Sequence, residues 1–301
     1  MKINAKTKLF GIIGYPVEHS FSPAMHNAGF DAIGFNAVYL AFSIKNILNL
    51  KYSMKQFGIS GLSVTIPHKI KIKRVADQID ALALQIGSIN TLCRNSSDLL
   101  TGYNSDGPGA VEALERAGVD LKNKKIIIIG SGGSARAIAF SLLEKMPSEI
   151  GIAARNSSSL YSLARGLQTI KKHPVITTYR MGCDENQIRF KSGSRQLLHD
   201  PEQIKPFDII IQTTPMGMSG YKEEKSSPLA AEYLFSHQSI FDIVYNPEVT
   251  PFVSLGLKKK LNIIPGYKML LYQGVRQFEL FTGQKAPVDI MEEALLRELK
   301  K

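Results

Sequence analysis

Four consecutive isoleucines at positions 126–129, followed at once by a cluster of glycines, constrain the fold of this chain more than any other feature. An unbroken apolar run of this kind predicts a strand that is buried on both faces. Gly130, Gly132 and Ala135 then occupy the small positions of the G-x-G-x-x-A pattern, and helical spacing follows. Strand, turn and helix together predict a site where free backbone amides face a pyrophosphate, although such turns also serve as plain strand-to-helix connections.

The next strand of this unit is predicted over 149–155, and the residues around its end are Ala154, Arg155 and Asn156. An NAD-binding unit usually ends this strand in Asp or Glu, which bonds the ribose 2′-hydroxyl, whereas an arginine suits a 2′-phosphate. The serines that follow at 157–159 add hydroxyl donors without repelling a phosphate. The sequence therefore favours NADP as the dinucleotide.

The rest of the chain alternates between strand and helix patterns, and its composition changes near Asp106. We therefore predict an α/β fold with two domains. One is an N-terminal α/β substrate domain, residues 1–106 plus 266–301, to which the C-terminal helices return. The other is a Rossmann-type, doubly wound NADP-binding domain, residues 107–265. Within it, the polar segment from Arg180 to Pro206 is predicted to be an irregular excursion between elements.

Several polar residues of the N-terminal half stand at the ends of predicted elements. Ser22 precedes a proline and is predicted to be a helix N-cap, and Ser20 with Ser22 could equally form a carboxylate site. Lys69 follows a strand that contains Thr65, so it either points into a cleft or is one more solvated lysine. Asp106 lies just before a predicted helix, where a simple N-cap is the common role.

Composition excludes several classes of protein. No apolar run approaches the roughly 18 residues that a membrane span needs, and the N-terminus lacks a signal-peptide core, so a cytoplasmic location without membrane contact is expected. The two cysteines and six histidines show no metal-ligand spacing, so no metal is expected. The net charge of +11 is spread along the chain without a nucleic-acid module, so no nucleic-acid partner is expected either.

Eight motifs in order resemble those of the shikimate dehydrogenase family over essentially the whole chain. They lie at 14–23 (GYPVEHSFSP), 63–69 (SVTIPHK), 89–91 (INT), 102–107 (GYNSDG), 130–135 (GSGGSA), 214–218 (TPMGM), 242–247 (DIVYNP) and 269–273 (MLLYQ). The resemblance implies the reversible NADPH-dependent reduction of 3-dehydroshikimate to shikimate, in aromatic amino-acid biosynthesis. It also implies a small-molecule substrate and a monomer or homodimer.

The resemblance implies roles for individual residues as well. Lys69 and Asp106 would be the catalytic pair. The substrate carboxylate would be held by Ser20, Ser22 and Tyr245, and its hydroxyls would be surrounded by Thr65, Lys69, Asn90, Asp106 and Gln273. The cofactor would be lined by Gly130, Ser131, Gly132, Gly133, Ser134, Ala154, Arg155, Asn156, Thr213, Ile243 and Gly266.

The chain departs from the family pattern at a few positions. Where a second arginine is frequent it has Ser159, so the phosphate clamp is reduced to Arg155 and a weaker preference for NADP is expected. Ser63 replaces a frequent asparagine, and Tyr267 with Lys268 is unusual before the last motif. Two alternatives therefore stay open: a quinate/shikimate dehydrogenase or related enzyme of another polyol acid, and a non-catalytic nucleotide-binding protein.

Overall fold

The computed structural model describes residues 3–170, 174–182 and 195–300. The chain forms two compact units, one of Met1–Gly109 with Leu270–Lys301 and the other of Ala110–Met269. We call them the discontinuous unit and the continuous unit.

The discontinuous unit contains a mixed sheet with helices before, between and after its strands. Its strands are β1 (Lys8–Gly14), β2 (Ala37–Ser43), β3 (Ile59–Val64), β4 (Gln78–Ile79), β5 (Thr91–Arg94) and β6 (Leu100–Tyr103). Its first helices are α1 (Ser22–Ala32), α2 (Leu50–Gln56) and α3 (Ala81–Ile86), and α4 (Asp106–Arg116) leads into the other unit. Among the described residues the strand order is β2-β1-β3-β5-β6-β4, with β5 antiparallel to both of its neighbours.

The continuous unit is built on a parallel sheet. Its strands are β7 (Lys125–Ile129), β8 (Glu149–Ala154), β9 (Val175–Arg180), β10 (Arg195–Leu197), β11 (Ile209–Gln212), β12 (Ser239–Asp242) and β13 (Asn262–Ile264). Its helices are α5 (Gly133–Leu142), α6 (Ser157–Gln168) and α7 (Pro251–Lys258). The described strands are ordered β10-β9-β8-β7-β11-β12-β13, so the direction of winding reverses between β7 and β11. This order confirms the doubly wound fold, in which ligands bind beyond the carboxyl ends of the strands at the reversal.

Two helices complete the chain, α8 (Gly266–Thr282) and α9 (Val288–Leu299). Aromatic rings from α8 join rings from the start of the sequence: Phe281 lies 5.1 Å from Phe10, and Phe278 lies 5.3 Å from Phe30. Met291 of α9 is fully buried as well. Each large apolar side chain buried in this way contributes about 1.5 to 3 kcal/mol, so α8 and α9 are part of the core of the discontinuous unit.

Two local predictions were wrong. The segment from Arg180 to Pro206 contains β10, which pairs in parallel with β9, and residues 183–194 of that segment lie outside the described residues. The N-cap of α1 is Phe21, which bonds no helix amide with its side chain, and Ser22 is the first helical residue.

Of the helices that the structure describes, none is both long and apolar enough to cross a membrane.

Candidate active site

Strand directions bring three polar residues to one edge of the first sheet. β5 runs antiparallel to β3 and to β6, so the carboxyl ends of β3 and β6 meet the amino end of β5. Lys69 follows β3, Asn90 directly precedes β5, and Asp106 follows β6 as the first residue of α4. The backbone N–H of Ile89 donates to the carbonyl oxygen of Lys69 (2.9 Å), which ties the two loops together.

Lys69 and Asp106 form a close ion pair. The Lys69 Nζ atom donates to Asp106 Oδ2 at 2.6 Å. The lysine side chain keeps 30% of its surface exposed, whereas the Asp106 side chain keeps 12%. A cation at the surface is thus anchored by a carboxylate below it, and the ammonium retains donors for a ligand.

Asn90 fixes the orientation of that carboxylate. Its Nδ2 atom donates to Asp106 Oδ1 (2.8 Å) and to Ser105 Oγ (2.9 Å). Its Oδ1 atom accepts from the Ser105 backbone N–H and from Thr91 Oγ1, both at 2.8 Å. Because both ends of the amide are bonded, neither it nor the Asp106 carboxylate can turn without loss of a hydrogen bond.

A buried hydrogen-bond chain continues from this amide to helix α8. The Gln277 Nε2 atom donates to the Asn90 carbonyl oxygen and to Thr91 Oγ1, each at 3.1 Å. The Gln277 Oε1 atom accepts from Ser63 Oγ (2.6 Å), which in turn accepts from the Tyr39 hydroxyl at 2.6 Å. Gln277 and Tyr39 had no predicted site role. A polar residue one helical turn after Gln273, within an apolar pattern, was the one available signal for Gln277.

Gln273 joins this cluster, and the other predicted substrate residues of this unit have contacts of their own. Ser22 is buried and lies beside the Tyr39 hydroxyl, and its backbone N–H donates to Ser20 Oγ at 3.3 Å. Gln273 Oε1 accepts from Ser105 Oγ at 3.5 Å. The backbone N–H of Thr65 donates to the Ile13 carbonyl oxygen (2.9 Å), which places Thr65 directly after the end of β3.

The glycine turn of the continuous unit follows β7, at the reversal of the sheet. Gly130 has φ of +117°, and a Cβ atom there would lie 2.3 Å from Thr213 Oγ1, so only glycine fits. A Cβ atom at Gly132 or Gly133 would meet nothing within 4 Å. Gly132 is the N-cap of α5, and as a glycine it has no side chain that could accept a hydrogen bond from the first helix amides. The turn therefore leaves open space and free amides for an anion.

A cavity of about 370 Å³ lies at these strand ends, wholly within the continuous unit. Seven predicted cofactor residues line it: Gly130, Ser131, Gly132, Ala154, Arg155, Asn156 and Thr213. Gly133, Ser134, Ile243 and Gly266 do not line this cavity in the described structure. Arg155 points two guanidinium nitrogens at Glu223, with Nη1–Oε1 at 3.0 Å and Nη2–Oε2 at 3.4 Å, a contact that no sequence pattern predicted.

The last predicted residues of this unit follow β12 and β13. A Cβ atom on Gly266 would lie 2.3 Å from the Val244 carbonyl oxygen, so the backbones of the segments after β12 and β13 are in close contact and leave no room for a side chain at Gly266. The Ile243 N–H donates to the Gln212 carbonyl oxygen at 3.1 Å. Tyr245 also lies in the continuous unit, and its predicted role at the substrate carboxylate stays a prediction.

A buried carboxylate precedes Ile243. Asp242 is fully buried and accepts from Thr250 Oγ1 (2.6 Å) and from the Val244 N–H (3.0 Å). Burial raises the pKa of Asp242 from 3.8 to about 6, because these two hydrogen bonds only partly offset the loss of water.

The free energy of unfolding should depend on the charge of Asp242. Between pH 4 and 6 the folded state keeps the proton that the unfolded state has released, so stability falls as pH rises through this window. The Asp242→Asn variant lacks this titration. Its stability relative to the wild type should therefore rise from pH 4 to pH 7 by an amount on the order of 3 kcal/mol. Urea denaturation of both proteins across this range measures the difference, and a difference independent of pH would contradict the assignment.

Metal-ligand side chains do not cluster in the part of the chain that the structure describes: it holds no group of three or more His, Cys, Asp or Glu side chains that could bind a metal. Cys93 is a free thiol, and burial raises its pKa to about 12. Cys183 lies outside the described residues.

Comparisons with known proteins agree with this geometry. Residues 12–92 match the family model of the shikimate dehydrogenase substrate binding domain, and residues 266–296 match that of the shikimate 5'-dehydrogenase C-terminal domain. A protein of Methanobrevibacter smithii, shikimate dehydrogenase (NADP(+)), is 38% identical over 299 residues, which cover 99% of each chain.

Solved structures agree as well. A shikimate dehydrogenase crystallised in complex with NADP+ is 36% identical, with a TM-score of 0.86, and the match covers 100% of this chain and 98% of that one. The shikimate 5-dehydrogenase from Listeria monocytogenes, solved in complex with shikimate and NAD, is 28% identical, with a TM-score of 0.85 and coverage of 97% and 98%. Because identity of 38% extends over 99% of two whole chains, this chain belongs to the shikimate dehydrogenase family.

Proposed function

We propose that this chain catalyses the reversible reduction of 3-dehydroshikimate to shikimate with NADPH. The observation that carries the proposal is the 2.6 Å contact of Lys69 with Asp106, held by Asn90, in a chain that matches its relatives from end to end. We assign substrate binding to the discontinuous unit and cofactor binding to the continuous unit.

The residues of the continuous unit fit a dinucleotide phosphate. The open space above Gly132 and Gly133 and the free amides of α5 suit a pyrophosphate, and Arg155 at the end of β8 suits a 2′-phosphate. NADPH, when bound, supplies the hydride. Ser131, Ala154, Asn156 and Thr213 would line the nucleotide. Ser134 in the first turn of α5, Ile243 after β12 and Gly266 at the start of α8 would lie beside it.

The residues of the discontinuous unit would handle the substrate and its proton. Reduction of a ketone builds negative charge on the carbonyl oxygen, and Lys69 would donate the proton that neutralises it. Asp106 would hold the ammonium and accept from a substrate hydroxyl, while Asn90 keeps the carboxylate in register. Thr65 and Gln273 would bond the remaining hydroxyls. Ser20 and Ser22, at the start of α1, would bind the substrate carboxylate.

Two alternatives were left open, a non-catalytic nucleotide-binding protein and a quinate/shikimate dehydrogenase or related enzyme. A non-catalytic nucleotide-binding protein would have no use for a partly exposed lysine fixed on an oriented carboxylate, so the Lys69 pair disfavours it. Quinate and shikimate differ in one ring hydroxyl and one ring double bond, and the preference between them is decided by turnover.

A four-way assay tests the proposal. Oxidation of NADPH and of NADH is followed at 340 nm with 3-dehydroshikimate and with 3-dehydroquinate as substrates. We expect kcat/KM to be highest for NADPH with 3-dehydroshikimate, because both the phosphate and the hydroxyl pattern then find their partners. A higher kcat/KM with 3-dehydroquinate would favour the quinate alternative, and no turnover with either substrate would favour the binding protein.

A further inference from the structure

The guanidinium of Arg155, which is assigned to the cofactor 2′-phosphate, is paired with the carboxylate of Glu223. Both of its oxygens face Arg155, at 3.0 Å from Nη1 and 3.4 Å from Nη2. The Arg155 side chain keeps 57% of its surface exposed and that of Glu223 keeps 25%, so the carboxylate lies on the more buried side of the pair. This two-point arrangement is the one that a phosphate also adopts on an arginine fork.

The backbone holds Glu223 in this position. Its carbonyl oxygen accepts from the Gly217 N–H (3.0 Å) and from the Ser226 N–H (3.1 Å), which closes the loop on both sides of the residue. The loop is fixed further by the Ser219 N–H, which donates to the Asn246 carbonyl oxygen at 2.9 Å. The pair is therefore built from two anchored segments of the continuous unit, one after β8 and one after β11.

We propose that Glu223 sets the cofactor selectivity of this enzyme by competing with the 2′-phosphate for Arg155. A phosphate must displace this carboxylate from Arg155 or share the guanidinium with it, which lowers the affinity of the phosphate. A 2′-hydroxyl is neutral and meets no such competition. Glu223 thus lowers the affinity for NADP relative to the affinity for NAD. The inference rests on the proposed assignment of Arg155 to the 2′-phosphate.

Direct binding of cofactor fragments tests this without any substrate. Adenosine 2′,5′-bisphosphate and 5′-AMP differ by the 2′-phosphate alone, and calorimetry gives the dissociation constant of each for the full chain. In the Glu223→Gln variant the bisphosphate should bind about tenfold more tightly, with little change for 5′-AMP. The matched control is Glu224→Gln, because the adjacent carboxylate accepts from the Gly220 N–H and has no contact with Arg155. Its affinities should equal those of the wild type.

A double variant isolates the route through Arg155. In an Arg155→Ala background, Glu223→Gln should change bisphosphate affinity by less than about twofold, because the fork is gone. Unchanged or weaker bisphosphate binding in the single Glu223→Gln variant would overturn the proposal, since Glu223 would then be neutral or would preorganise the arginine. A tenfold gain that persists without Arg155 would overturn it too.

These readouts separate the inference from the proposed reaction. If the wild type fails to turn over 3-dehydroshikimate but the Glu223→Gln variant gains bisphosphate affinity, the proposed reaction is contradicted and the proposed role of Glu223 is supported. If the wild type turns over the substrate and the bisphosphate affinity of the variant does not change, the proposed reaction is supported and the role of Glu223 is contradicted.

Discussion

Replacement of Lys69 by alanine should lower kcat by about 10² to 10⁴, the usual contribution of a positioned proton donor. The ammonium is the donor that we assign to the developing oxyanion, and alanine leaves Asp106 and Asn90 with no cation between them and the substrate. Binding of NADPH should be unchanged, because Lys69 belongs to the discontinuous unit and the glycine turn does not. Single-turnover kinetics with saturating NADPH would measure the loss in the chemical step.

The loss must be separated from unfolding. A partly exposed ion pair contributes about 1 kcal/mol or less, so the melting temperature of the Lys69→Ala variant should stay close to that of the wild type. Lys71→Ala is the matched control, since Lys71 is an exposed lysine two positions further along the chain, and it should keep full activity. More than half of the wild-type turnover in Lys69→Ala would make Lys69 an ordinary binding or surface lysine.

Replacement of Arg155 by alanine should raise the KM for NADPH more than tenfold and leave the KM for NADH nearly unchanged. A charge-assisted hydrogen bond to the 2′-phosphate is worth about 1.5 to 3 kcal/mol, and NADH lacks the 2′-phosphate that would accept this bond. Steady-state kinetics with each cofactor at saturating 3-dehydroshikimate gives the two constants.

A second arginine on the neighbouring helix provides the control. Arg165 lies on α6 and donates through Nε to the Tyr161 carbonyl oxygen of the same helix, so Arg165→Ala should change neither KM. Equal increases for both cofactors in Arg155→Ala would show that the arginine supports the whole nucleotide rather than the phosphate.

Local patterns were sufficient to predict the core of the continuous unit. The isoleucine run is β7, with the last four of its residues buried, and the helix after the glycines begins at Gly133. Both predictions are confirmed because burial, strand propensity and the turn depend on adjacent residues. The strand predicted over 149–155 is β8, which ends one residue earlier than predicted, at Ala154, so Arg155 directly follows it.

Contacts between distant positions could not be predicted in this way. Glu223 lies 68 residues from Arg155, and Gln277 lies 187 residues from Asn90, so no spacing rule links either pair. The three residues of β10 carry too short a pattern to stand out from a polar segment. The N-cap of α1 was misplaced by one residue, because residue type favours Ser22 as the cap whereas the helix begins at Ser22 itself.

The discontinuous unit has a consequence for the order of events during synthesis. The rings of Phe281 and Phe278 pack on Phe10 and Phe30, and the amide of Gln277 bonds Asn90. These three partners all lie before Gly109, in the first segment of the discontinuous unit. Residues 110–269 must be translated in between, which takes roughly ten to thirty seconds at about 5 to 20 residues per second. Throughout that interval the first segment of the discontinuous unit lacks α8, and the apolar side chains that pack on α8 have no partner there. The continuous unit can fold first, and the proton-donor cluster gains its support from Gln277 only when α8 emerges.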